Sequence, residues 1–145
     1  MEALRSAMVV TPDADSRYTL MGILSSCGLD PLAAETLKET RSMLARHAVS
    51  VVVCDEQLSD GSFRDVVREA ARLPRKVPVI VSSRSVDWKH YLSILSAGAF
   101  DYFTYPPRRR EVEYLLGNAL NVPVWSCRVS DAALGASAAE QRAGS

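Results

Sequence analysis

Five times between residues 7 and about 121, a short apolar run gives way to a stretch whose apolar residues recur at helical spacing. Two of the runs are long enough to fix the argument. Val49-Ser50-Val51-Val52-Val53-Cys54 is β-branched and apolar at nearly every position, and Pro78-Val79-Ile80-Val81 repeats the pattern. A strand with one wet face alternates apolar and polar residues; runs without alternation suit strands covered on both faces. The weaker runs are Met8-Val9-Val10, Pro31-Leu32-Ala33-Ala34 and Ala99 to Thr104, the last broken by Pro106-Pro107.

The segments between them read as helices. Leu20, Ile23, Leu24 and Cys27 fall at i, i+3, i+4 and i+7, with Asp and Ser caps available in Asp13-Ala14-Asp15-Ser16 and a stop at Gly28. Thr36 and Glu39 have capping-box spacing before Leu37, Met43 and Leu44. Asp60-Gly61 reads as a turn, and Ser62 as the cap of a helix carrying Phe63, Val66, Val67 and Ala70. Asp87 is the cap expected for Tyr91, Leu92, Ile94 and Leu95; Val112, Leu115, Leu116 and Leu120 mark the last helix. Strands alternating with helices imply βαβ units, right-handed crossovers and a parallel sheet with helices on both faces. One domain is expected over residues 1–121. Residues 122–145, rich in Ala and Ser, read as a C-terminal tail, partly disordered or helical, with a frayed helix from Asp131 to Arg142. A tail of that length is not expected to hold an appended DNA-binding or enzymatic domain.

Charge and cysteine content narrow the classes. Seventeen Lys plus Arg balance 17 Asp plus Glu, which argues against a general nucleic-acid or membrane-surface binder. No apolar run approaches the ~20 residues of a membrane span. The N-terminus lacks the form of a secretory signal. Cys27, Cys54 and Cys127 are odd in number and widely spaced, which suits a reducing, cytoplasmic setting. His47 and His90 are far apart in sequence and do not suggest a metal site.

In open α/β sheets, sites form beyond the carboxyl ends of the strands. That rule selects Thr11-Pro12-Asp13, Asp55-Glu56-Gln57, Ser82-Ser83 and Thr104-Tyr105-Pro106. Glu56 is expected to cap or face solvent, and Asp13, with Asp15, to act as an acid at a helix start.

These four pieces, VVTPDADSR, VVVCDEQLSDG, VPVIVSSR and AGAFDYFTYPP, occur in an order and spacing that resembles a bacterial two-component response-regulator receiver domain. The resemblance implies a flavodoxin-like (βα)5 fold with a five-stranded parallel sheet. It implies that Asp55 is the phosphoacceptor for a sensor kinase, and that Ser83 and Tyr102 are the switch pair. It implies Mg²⁺ held by an acidic pair after the first strand, by the phosphoacceptor and by the carbonyl at Gln57, plus a lysine before the last strand's proline.

This sequence departs from that pattern. The acidic pair falls on Thr11 and Pro12, and the lysine on Tyr105. A carboxylate attacking a phosphoryl group brings two anions together, so catalysis is mainly charge neutralisation and positioning. Removing one preorganised electrostatic donor typically costs ~2.7–4 kcal/mol of barrier. Mg²⁺ binding is therefore expected to be weak, with Asp13, Asp55 and Gln57 as the remaining donors and no assured metal site. The expected function is a stand-alone, non-enzymatic receiver that signals through protein contacts. Its expected partners are a sensor kinase or downstream protein, with a homodimer as a further option and no nucleic acid or membrane. Arg108, Arg109 and Arg110 stand on the face such domains use for partners. Two alternatives remain: a working phosphoacceptor at Asp55, and a small-molecule-binding or phosphatase-like enzyme on a similar fold. Against the latter, the aspartyl-phosphate phosphatase pattern needs a second aspartate two residues on, where Gln57 stands.

Overall fold

The computed structural model describes residues 5–85 and 87–122; the expectations for the tail lie outside them. Among the described residues, five parallel strands form one sheet: β1 Ser6–Val10, β2 Asp30–Ala34, β3 Val49–Asp55, β4 Val79–Ser83 and β5 Asp101–Thr104. Their order is β2-β1-β3-β4-β5. Five helices connect and follow them: α1 Ala14–Ser26, α2 Leu37–Arg46, α3 Phe63–Ala71, α4 Trp88–Ser96 and α5 Arg109–Leu120. A two-residue hairpin, Gln57–Leu58 against Gly61–Ser62, joins β3 to α3.

The absence of alternation in β3 and β4 has its expected cause. Side chains of a strand point alternately to its two faces, and here both faces carry helices. Val51, Val53, Ile80 and Phe103 pack with Leu20, Ile23, Leu24, Val112, Leu115 and Leu116 of α1 and α5. Val52, Cys54, Val79 and Val81 pack on the other side with Leu37, Leu44, Phe63, Val66, Ala70 and Ile94 of α2, α3 and α4. After one register shift of β1 against β3 between Ser6 and Ala7, pairing runs in step to the carboxyl ends: Val10 pairs with Cys54, Cys54 with Val81, and Val81 with Tyr102. A one-residue slip would exchange the two faces, so register is strongly specified.

Local signals place the helix ends. Asp13 Oδ2 accepts from Ser16 N at 3.0 Å. Thr36 Oγ1 accepts from Glu39 N at 3.1 Å, and Glu39 Oε1 accepts from Glu35 N at 2.8 Å, one residue before the position a capping box uses. Ser62 Oγ accepts from Arg64 N at 3.2 Å, and Asp65 Oδ2 accepts from Ser62 N at 3.0 Å. Asp60 does more than turn the chain: its two carboxylate oxygens accept from Leu37 N at 2.7 Å and Lys38 N at 3.0 Å, so the hairpin caps α2. Gly61 permits that docking, because a Cβ there would stand 2.7 Å from Asp65 Oδ2 and 2.9 Å from Leu37 Cδ2. Asp87 differs from expectation: it stands at the cap of α4, yet its side chain makes no capping hydrogen bond among the described residues.

The outcome for the site is geometric. Each strand enters the sheet from the same edge, so the ends of β1, β3, β4 and β5 meet at the opposite edge. Thr11, Asp55, Ser83 and Tyr105 stand there.

Candidate functional site

The centre of that edge is Asp55, the last residue of β3. It is half-buried. Burial pushes its carboxyl above the usual carboxylate range, while the Thr11 hydrogen bond and the positive charge of Arg84 oppose the rise. Asp13 and Glu56 nearby reinforce it.

Thr11 follows β1 and is 1% exposed. Its Oγ1 donates to Asp55 Oδ2 at 2.8 Å and accepts from Asp13 N at 3.1 Å. Arg17 Nη1 donates to Thr11 O at 3.1 Å, which ties the first turn of α1 to the same loop. Pro12 is exposed at the loop's tip. The Asp13 carboxylate is engaged at the start of α1; its bonds to Ser16 hold its pKa below the usual value.

Gln57 is exposed and sits in the hairpin. Ser83 is 1% exposed. Its Oγ donates to Glu56 Oε1 at 2.9 Å and accepts from Ser85 N at 3.1 Å. Glu56 therefore does not face solvent as the sequence suggested: it turns along the sheet edge, and its Oε2 lies against His90 Nε2 of α4. Tyr102 is partly buried, its ring 4.7 Å from that of Tyr91, which in turn is 5.8 Å from Trp88. Burial raises the Tyr102 phenol above its usual pKa.

Tyr105 N donates to Ser83 O at 2.8 Å, and the Tyr105–Pro106 peptide is cis. The Arg84 guanidinium lies 4.1 Å from the centre of the Tyr105 ring, a cation–π distance. Its charge lowers the carboxyl pKa of both Asp13 and Asp55. A cation thus reaches the site from the end of β4, although the position before Pro106 carries none.

The three arginines at the start of α5 do not share one environment. Arg108 and Arg110 are exposed. Arg109 Nε donates to Glu113 Oε2 at 2.9 Å, and Glu113 is 4% exposed. Among the described residues, no group of three or more His, Cys, Asp or Glu side chains is placed to hold a metal.

The sequence did not bring Arg84 or His90 to the site, and it placed Glu56 at the sheet edge without its partners Ser83 and His90. Arg84 stood in plain view in the VSSR string. Nothing local says that it folds back onto a ring 21 positions later, or that Glu56 reaches a serine 27 positions away.

Comparison with known proteins bears on the family and the fold. No protein-family model matches the chain. The response regulator PilR of Pseudomonas aeruginosa is 30% identical over 118 residues, covering 81% of this chain and 26% of PilR. The virulence transcriptional regulatory protein PhoP of Salmonella typhimurium is 30% identical over 105 residues, covering 72% of this chain and 47% of PhoP. The chain therefore spans about a quarter to a half of these curated relatives. A CheY-like response-regulator receiver domain from Methanospirillum hungatei superposes with a TM-score of 0.73 at 19% identity, over 82% of this chain and 95% of that one. With its β2-β1-β3-β4-β5 parallel sheet, an aspartate at the end of β3 and these relatives, the chain belongs to the response-regulator receiver domains of two-component signal transduction.

Proposed function

We propose that this chain is an atypical receiver, present in the cytoplasm, in which Mg²⁺-dependent phosphorylation of Asp55 is weak or absent and signals pass through protein–protein contacts. The observation that carries this reading is the 2.8 Å hydrogen bond from Thr11 Oγ1 to Asp55 Oδ2. A neutral hydroxyl stands where a metal-binding carboxylate would be needed, and it already occupies one acceptor oxygen. Asp13, the acid that follows this loop position, is engaged at the start of α1, and Glu56 is engaged by Ser83 and His90. Mg²⁺ usually relies on one or two carboxylates together with substrate phosphate and several waters. The donor set here, one assured carboxylate and a hydroxyl bonded to it, does not fit that requirement.

The proposed partners are a sensor kinase or a downstream signalling protein, or a second copy of the chain. Arg108 and Arg110 offer exposed positive charge for an acidic patch. The test is labelling of the full chain by acetyl phosphate with and without Mg²⁺. Weak, metal-indifferent labelling supports the proposal; rapid labelling that requires Mg²⁺ overturns it.

A second reading, a working phosphoacceptor at Asp55, is favoured by one observation: Arg84 on Tyr105 brings a cation towards the carboxylate. Under it, Asp55→Asn abolishes labelling and Arg84→Ala slows it by ~100-fold or more, the scale of losing one electrostatic donor. Equal, negligible labelling of all three proteins removes this reading.

A further inference from the structure

Glu56 joins three elements. The bond from Glu56 N to Ser82 O, 3.1 Å, fixes its backbone beside the end of β4. One side-chain oxygen then accepts from Ser83 Oγ at 2.9 Å, and the other lies against His90 Nε2, an atom with no exposure to solvent. The carboxylate bridges the end of β3, the end of β4 and the first turn of α4.

Helix α4 is otherwise thinly attached. Among its described residues Ile94 alone is buried, Trp88 and Leu92 are exposed, and Asp87 gives no side-chain cap. Its other ties include Arg64 Nη2 to Ser93 Oγ at 3.0 Å, the Tyr91–Tyr102 ring contact, and the packing of Ile94 and Ala97 on the core. A hydrogen bond to an ionised carboxylate is roughly twice as strong as a neutral one. The Ser83 bond to Glu56 is of that kind, and the Glu56–His90 contact brings the same carboxylate to the first turn of α4.

The serine has a single hydroxyl proton. While Ser83 gives it to Glu56, it has none to give to an oxygen carried on Asp55. We propose that Glu56 is a positioning residue: its carboxylate supplies Ser83 with an anionic acceptor from within the chain and, through His90, holds α4 on the sheet with no group attached to Asp55. This deepens the atypical-receiver reading and rests on it for the role of α4 in signalling. It accounts for an α4 position that does not wait for a phosphoryl group.

Segment-resolved amide hydrogen exchange on the full chain tests it, with Glu56→Ala, Glu56→Gln and His90→Gln compared with the parent. Glu56→Ala is expected to speed exchange in residues 88–96 roughly tenfold, the equivalent of one lost charge-assisted bond, and to leave residues 14–26 unchanged. Glu56→Gln keeps an oxygen for the serine hydroxyl but loses the charge facing His90. It is expected to release 88–96 while the Ser85 amide, bonded to Ser83 Oγ, stays protected. His90→Gln should reproduce that split. Parent-like exchange of 88–96 in all three variants overturns the proposal, as does equal acceleration of 14–26 and 88–96. Acetyl-phosphate labelling of the same proteins reports separately: labelling of the parent bears on the proposed function, and α4 exchange bears on the bridge.

Discussion

At the scale of single residues, the balance around Asp55 decides what the site can do. A folded-state pKa raised by burial means that ionised Asp55 opposes folding. For this group stability falls as pH rises from the unfolded value of 3.8 through the folded one. Asp55→Asn is therefore expected to raise the melting temperature at pH 7, as read by calorimetry. The Thr11 hydroxyl, with the charge of Arg84, offsets part of that penalty on the charged form. Thr11→Val should cost about 1.5–3 kcal/mol, the range for a hydrogen bond to a charged group. That cost should shrink in an Asp55→Asn background, and a double-mutant cycle by denaturant unfolding checks the coupling. An equal Thr11→Val cost in both backgrounds would remove the bond from the account. The importance of Asp55 was legible because a buried, non-alternating strand ends on it. Its neighbours were legible only in part. Thr11 and Tyr105 could be located as missing charges, whereas the compensation by Arg84 depends on a side chain stacking on a distant ring.

At the scale of elements, the caps show which sequence signals act locally and which act across the fold. Ser62 and Thr36 cap the helices they precede. Asp60 instead serves α2 from 22 and 23 positions away, and a turn signature carries no trace of that task. Its bonds to Leu37 N and Lys38 N hold its pKa below 3.8, and Asp13 and Asp65 are lowered in the same way by helix-start bonds. A carboxyl depressed on folding contributes stability that is present above the unfolded value and lost as pH falls through the folded one. Stability should accordingly decline on acidification below about pH 4. Asp60→Asn should flatten that decline and loosen α2, measured by acid titration of circular dichroism and by exchange at residues 37–46. An unchanged acid profile would show that the Asp60 bonds contribute nothing to folding. Helix α4 is the opposite case. Its apolar residues at helical spacing suggested a buried face, yet Ile94 alone is buried there among the described residues. The pattern identified the helix but not its shallow seat, which follows from its position over β5 near the edge of the sheet.

At the scale of the whole molecule, two cores back to back on one sheet carry the stability. Leu116 is fully buried between α5 and the sheet. Leu116→Ala should cost about 2–5 kcal/mol, checked by urea unfolding, with the site geometry retained. The architecture was legible because apolar runs without alternation leave few alternatives to a parallel sheet covered on both faces. The neutral charge sum, 17 against 17, hid the local change that matters. At the sheet edge Asp55 is bonded to Thr11, with Arg84 nearby and Ser83 engaged by Glu56, the state on which the proposed function rests. The direct test of that state is intact-mass measurement of the full chain after acetyl phosphate, in parallel with Asp55→Asn, with and without Mg²⁺. The expected result is no Mg²⁺-dependent phosphoryl adduct on the parent beyond the level of the Asp55→Asn protein. Rapid appearance of one adduct that needs Mg²⁺ and disappears in Asp55→Asn would contradict it.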